Sequence, residues 1–182
     1  MRFSVAKHLK PVCSYFLGRV NTMKTLVAYY SRTGRTRFVA EKIAACLGAD
    51  IEEVTELKKR KGMTAFMKTS LSAMTGKETE ISPPAKPVEQ YDLIIVGTPV
   101  WYTRPTPAIR TYLKKNSFTG KKVALFCTND GNGGEKTIEK LKELLLNSTL
   151  AEPLIVSKVA ENKTEAEAKT AEWCQKLKTA ET

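Results

Sequence analysis

Three short polar stretches hold the residues that could do chemistry. The first, Ser31-Arg32-Thr33-Gly34-Arg35-Thr36, carries hydroxyls at 31, 33 and 36 around a glycine and two arginines. It follows an apolar run and opens into a helical pattern. Its hydroxyls, free backbone N–H groups and helix-dipole end would therefore surround a phosphate, and Gly34 would let the backbone approach closely. A plain Ser/Thr-capped strand-to-helix turn is the alternative. The second stretch, Thr98-Pro99-Val100-Trp101-Tyr102-Thr103-Arg104-Pro105, sets two large aromatics where an apolar run ends. A flat ring system could stack on Trp101 or Tyr102, whereas packing of Trp101 on a neighbouring helix would give the same residue type without a ligand. The third, Cys127-Thr128-Asn129-Asp130-Gly131-Asn132-Gly133-Gly134, offers backbone and short side-chain hydrogen-bonding groups suited to the edge of such a ring. A simple glycine-rich turn competes with that reading. Cys127 reads as a buried strand end, because no base lies near it in sequence.

The elements that must position these stretches alternate regularly. Thr25 to Tyr30 is a β-rich run, followed after the first polar stretch by Phe38, Val39, Ile43, Cys46 and Leu47 at helical spacing. Gly48 ends that helix, and Asp50 to Val54 makes a short second strand. Met63, Phe66, Met67, Ser70, Leu71 and Met74 line one further helical face before Gly76 and the Pro-rich Ser82 to Pro87. Tyr91 to Gly97 is a near-continuous apolar strand, as expected when helices cover both faces of a sheet. Thr106 is placed to cap a helix beginning at Pro107, with Ile109, Tyr112 and Leu113 on its buried side. Lys121 to Cys127 forms a fourth strand, Ile138, Leu141, Leu144 and Leu145 mark the next helix, Leu154 to Val159 a fifth strand, and Ala166 to Leu177 the last helix. Such alternation predicts a parallel sheet with right-handed crossovers, whose ligand lies beyond the carboxyl ends of the strands. All three polar stretches sit there.

S-R-T-G-R-T directly after V-A-Y-Y resembles the phosphate-binding loop of flavodoxins, Ser/Thr-x-Thr-Gly-x-Thr, and G-T-P-V-W-Y resembles the corresponding aromatic loop of flavodoxin-like proteins. The resemblance runs from about Met23 to the C-terminus. It implies an α/β fold of three layers, a doubly wound sheet of five parallel strands in the order 2-1-3-4-5. It also implies noncovalently bound flavin mononucleotide (FMN), cycling between oxidised, semiquinone and hydroquinone states as an electron carrier. Ser31, Arg32, Thr33, Gly34, Arg35 and Thr36 would then hold the phosphate. Thr98, Pro99, Val100, Trp101 and Tyr102 would face the ring, and Thr128, Asn129, Asp130, Gly131, Gly133 and Gly134 would meet its edge, where glycine permits a peptide flip coupled to protonation of flavin N5. The chemistry belongs to the flavin, so no catalytic side chain is expected.

Charge departs from the family's habit. The chain carries a net charge of +11, of which Arg2, Lys7, Lys10 and Arg19 in the first 22 residues supply four. Flavodoxins are commonly acidic, and acidic surroundings disfavour the anionic reduced flavin. Arg32, Arg35 and Arg37 beside the phosphate loop thus imply a less negative second potential, and redox partner proteins that are acidic. No nucleic-acid recognition pattern accompanies the charge.

Other chemistries are poorly served. His8 is the only histidine, which argues against Ser/His/Asp and Cys/His mechanisms. Cys13, Cys46, Cys127 and Cys174 form no CxxC pair, so neither zinc nor a thioredoxin-type site is indicated, and a reducing cytoplasm fits. A receiver domain needs acids where Ser31 and Thr98 stand, a low-molecular-weight phosphatase needs a Cys-x5-Arg loop, and Walker and GxGxxG patterns are missing. The apolar runs at Leu93 to Gly97 and Val123 to Cys127 are far shorter than the roughly 20 residues of a membrane-spanning helix. Residues 1–22 form an N-terminal extension, a leader or a stretch ahead of a translation start at Met23, with residues 23–182 the FMN-binding domain. Two further functions stay open: an NAD(P)H-dependent quinone or flavin reductase, and a scaffold or membrane-surface module suggested by basic Lys58 to Lys61 ahead of the Met63 to Met74 face.

Overall fold

The computed structural model describes residues 23–57 and 78–179. The helix expected around Met63 to Met74 and its basic approach Lys58 to Lys61 lie outside those residues. The described chain runs β1 (Thr25–Tyr29), α1 (Arg35–Leu47), β2 (Asp50–Glu53), a 3-10 turn at Val88–Gln90, β3 (Leu93–Pro99), α2 (Pro107–Lys115), β4 (Lys122–Asn129), α3 (Gly134–Lys142), β5 (Thr149–Leu150), β6 (Leu154–Ser157) and α4 (Lys163–Thr179). Every strand pairing is parallel, and the order is β2-β1-β3-β4-β5.

Strand alternation explains why the central strands are apolar throughout. Leu26, Ala28, Ile94, Val96, Val123 and Leu125 face one layer with Ala108, Ile109 and Tyr112 of α2 and Ile138 and Leu141 of α3. Val27, Ile95, Ala124 and Phe126 face the other, with Val39, Ala40 and Ile43 of α1 and Trp173, Cys174 and Leu177 of α4. This is the expected three-layer arrangement. Gly48 closes α1 in the left-handed conformation at φ 63°, its amide donating to the Ala44 carbonyl.

Several boundaries differ from the expected ones, for reasons of pairing. β3 starts at Leu93 because Tyr91 ends the 3-10 turn, its amide donating to the Val88 carbonyl. Both β3 and β4 outrun their apolar cores: Thr98 pairs with Cys127 and Pro99 with Thr128, so the ladder carries polar residues into strand. The expected fifth strand, Leu154 to Val159, stops at Ser157, and an unexpected two-residue strand precedes it. Thr149–Leu150 and Leu154–Ser157 both lie along β4, and the register moves from Val123↔Leu150 to Phe126↔Leu154, one residue more on the edge side. Pro153 has no N–H for the ladder, which suits this interruption. The Trp173 indole N–H donates to the Glu152 carbonyl at 2.8 Å, tying α4 to the break. α3 ends at Lys142, so Leu145 is buried from the following turn rather than from the helix. No helix among the described residues is long and apolar enough to cross a membrane.

Candidate functional site

The carboxyl ends of β1, β3 and β4 converge on a cleft of about 460 Å³, lined by Arg32, Thr33, Arg35, Thr36, Pro99, Val100, Trp101, Thr128, Asn129 and Asp130. That volume lies within the roughly 300–1,000 Å³ typical of small-molecule sites. All three sequence stretches contribute.

At the β1 end, Gly34 precedes α1 with φ 86°, a left-handed conformation that glycine adopts without steric cost. Arg35 and Thr36 therefore lie in the first helical turn, where amides have no intrahelical acceptor. No acidic residue occupies that turn, leaving the positive helix end for an anion. The Ser31 hydroxyl oxygen is buried with no hydrogen-bond partner. The Thr36 hydroxyl is only 2.8 Å from that of Thr128, both side chains being buried, which locks the start of α1 to the end of β4. The Arg35 guanidinium pairs with Asp130 across the same gap. Arg37 turns away and pairs with Glu53 at 2.5 Å.

The aromatic wall is built by a strained turn. Trp101 and Arg104 exchange two backbone hydrogen bonds of 3.0 Å, and the intervening Tyr102 and Thr103 have φ of 49° and 57°. Two positive φ values in a two-residue connection mark a type I′ turn, usually the territory of Asn and Gly. Holding non-glycine residues there costs about 1–3 kcal/mol each. The turn leaves Tyr102 59% exposed at its tip, outside the cleft lining. Trp101 lines the cleft and meets Tyr30 edge to face, ring centroids 5.8 Å apart at 88°. Burial, together with Glu56 and against Arg32, pushes the Tyr30 phenol up to about 12.

Other expected site residues sit beneath the surface. Thr98 is fully buried, and its hydroxyl oxygen accepts the Thr106 amide at 3.1 Å, so it holds the loop's exit to α2. Thr106 does occupy the N-cap with Pro107 after it, but its side chain makes no capping bond and instead lies 3.3 Å from the Thr98 hydroxyl. Gly131 is exposed and away from the lining. Gly133, at φ 95°, is the N-cap of α3, and a Cβ there would stand 2.7 Å from Thr103 Cγ2. Gly134 is buried against Ile155. These glycines thus seat the third loop against the aromatic turn and the edge strand. Burial pushes the Cys127 thiol up to about 12, in keeping with a structural cysteine. Among the described residues no cluster of side chains could hold a metal ion. Two participants were not foreseen: Tyr30, which the sequence shows only as a strand end, and Thr103, whose contact with Gly133 has no local signature.

A family model described as Flavodoxin matches residues 24–177. The chain belongs to the flavodoxin family. Its fold is similar to that of a flavoprotein from Lactobacillus acidophilus NCFM solved in complex with FMN, at 28% identity over 76% of this chain and 95% of that one, with TM-score 0.64. It is also similar to a flavoprotein from Bacteroides eggerthii DSM 20697, at 23% identity over 80% of this chain and 94% of that one, with TM-score 0.68. Oxidised flavodoxin 2 from Bacillus cereus shares the fold at 20% identity, covering 83% of this chain and 94% of its own, with TM-score 0.58. The flavodoxin cleft described above lies at the switch point between β1 and β3, where this class of sheet binds its ligands.

Proposed function

We propose that this flavodoxin-family chain binds FMN noncovalently in the cleft and carries electrons between protein partners. The observation that carries the reading is the buried, unpartnered Ser31 hydroxyl beside a helix N-terminus free of acids. A buried polar atom without a partner costs about 1–3 kcal/mol, and a phosphate oxygen would satisfy it. The FMN complex of the Lactobacillus acidophilus relative adds support. Bound there, the flavin supplies one- or two-electron transfer.

The protein's part is binding and orientation. Ser31, Thr33 and the first-turn amides of α1 receive the phosphate, and Arg32 and Arg35 offset its charge. Pro99, Val100 and Trp101 provide an apolar wall for the ring, while Thr128, Asn129 and Asp130 border its polar edge. The basic character of the chain, +11 overall, favours acidic partner proteins and a less negative second potential.

The test is the visible spectrum of the purified full-length chain, followed by cofactor release and identification. A yellow protein yielding FMN is expected, and a colourless protein that gains no flavin on reconstitution overturns the binding claim. A steady-state assay with NADH or NADPH and a quinone addresses the carrier claim. Slow or negligible turnover by the protein alone is expected; rapid turnover would replace the carrier with a reductase.

A further inference from the structure

Two cysteines that lie far apart in sequence share the helix layer on the sheet face opposite α2 and α3. Cys46 is in the last turn of α1 and half-buried; Cys174 is in α4 and fully buried. Both side chains belong to the layer in which α1 packs on α4, and Cys46 is the neighbouring thiol that acts on Cys174. A second contact fixes the same register. Lys178, one helical turn beyond Cys174 and so on the same face of α4, donates from Nζ to the Cys46 carbonyl at 2.8 Å.

We propose that Cys46 and Cys174 close into a reversible disulfide that staples the C-terminal helix to the helix bearing the phosphate loop. The oxidant is a small-molecule disulfide such as oxidised glutathione. Cys46, the more exposed thiol, attacks one glutathione sulfur as its thiolate; the glutathione S–S bond breaks, a Cys46–glutathione disulfide forms and one glutathione leaves. The Cys174 sulfur then attacks the Cys46 sulfur, forming the internal bond and releasing the second glutathione. The pair loses two electrons, oxidised glutathione gains them, and the two thiol protons end on the two glutathiones. Burial and the neighbouring Cys46 push the Cys174 thiol up to about 12, with Lys178 opposing. This keeps Cys174 inert towards reagents in solution and leaves Cys46 as the point of entry.

The experiment treats the full-length protein with oxidised glutathione and reads intact mass, a non-reduced peptide map and thermal unfolding. Expected are the loss of two hydrogens, a Cys46–Cys174 cross-linked peptide, and a Tm higher by about 10 °C from closing so long a loop, all reversed by dithiothreitol. The C46S variant, altered at the less buried partner, should show neither the mass change nor the shift. A persistent glutathione adduct on Cys46, a bond mapped to other cysteines, an unmodified protein, or a mapped bond without a rise in Tm would each overturn the staple.

Discussion

Replacing Gly133 by alanine tests how the third loop is seated against the aromatic turn. At φ 95° an alanine enters a left-handed conformation, at roughly 1–2 kcal/mol. The new Cβ stands 2.7 Å from Thr103 Cγ2 and 3.1 Å from Thr103 Cα. The second of these is backbone, inside a turn already held at positive φ, so the neighbour cannot simply swing aside. Overpacking of this kind adds about 1–3 kcal/mol, offset by about 0.4–1 kcal/mol from the stiffer unfolded chain. The sum is a destabilisation of about 1–4.5 kcal/mol, or a Tm lower by about 2–18 °C for a domain of this size. Gly131→Ala is the control, since a Cβ there meets nothing within 4 Å and φ is not positive; it should stay within about 0.5 kcal/mol of the parent. Urea unfolding of the apoproteins measures both. Because Thr103 shares its turn with Trp101, a flavin-quenching titration should also show weaker FMN binding by Gly133→Ala than by Gly131→Ala. Equal stability of the two variants would refute the contact argument.

Removing the Ser31 hydroxyl should separate binding from folding. Ser31→Ala is expected to raise the FMN Kd about 10–100-fold, as for loss of a hydrogen bond to a charged group, while urea unfolding of the apoprotein shows a gain of up to about 1–3 kcal/mol because a buried hydroxyl without a protein partner is removed. Thr36→Val and Thr128→Val each orphan the other's buried hydroxyl and should cost about 1–3 kcal/mol singly. A double-mutant cycle in urea should show the pair costing less than the sum of the singles, and strict additivity would exclude the bond. Tyr30, raised by burial to about 12, favours its neutral form when folded. The stability it contributes is present below the unfolded value of about 10 and is lost as pH climbs from about 10 to 12. Urea unfolding of Tyr30→Phe across that range should therefore show a shallower decline than the parent.

The sheet, its covering layers and the general location of the cleft were legible because they follow from local patterns. Uninterrupted apolar strands announce helices on both faces, and S-R-T-G-R-T between a strand and a helix presents hydroxyls and a glycine where backbone amides are free. Strand limits were less so. Thr98, Pro99, Thr128 and Asn129 look like loop residues, yet they continue the ladder because partners on the adjacent strand lie opposite them. Hydrophobicity records burial, whereas a parallel ladder depends on main-chain register and tolerates polar side chains at its end.

Residue order alone therefore determined the kind of sheet, the hydroxyl- and glycine-bearing turn from β1 into α1 and the presence of aromatic rings beyond β3, since each is encoded within a few adjacent residues. Tertiary structure decided what those rings and loops touch. Arg35 meets Asp130 and Thr36 meets Thr128 across separations of 95 and 92 residues, and Lys178 of α4 meets the Cys46 carbonyl of α1 across 132. Such partnerships depend on the register of several strands and the hand of their crossovers, and no local periodicity carries that information. The same holds for Trp101. Its type was visible at once, but its position as a cleft wall was set by a type I′ turn of Tyr102 and Thr103, which lacks the usual Asn-Gly signature and is instead backed by Gly133 from the neighbouring loop.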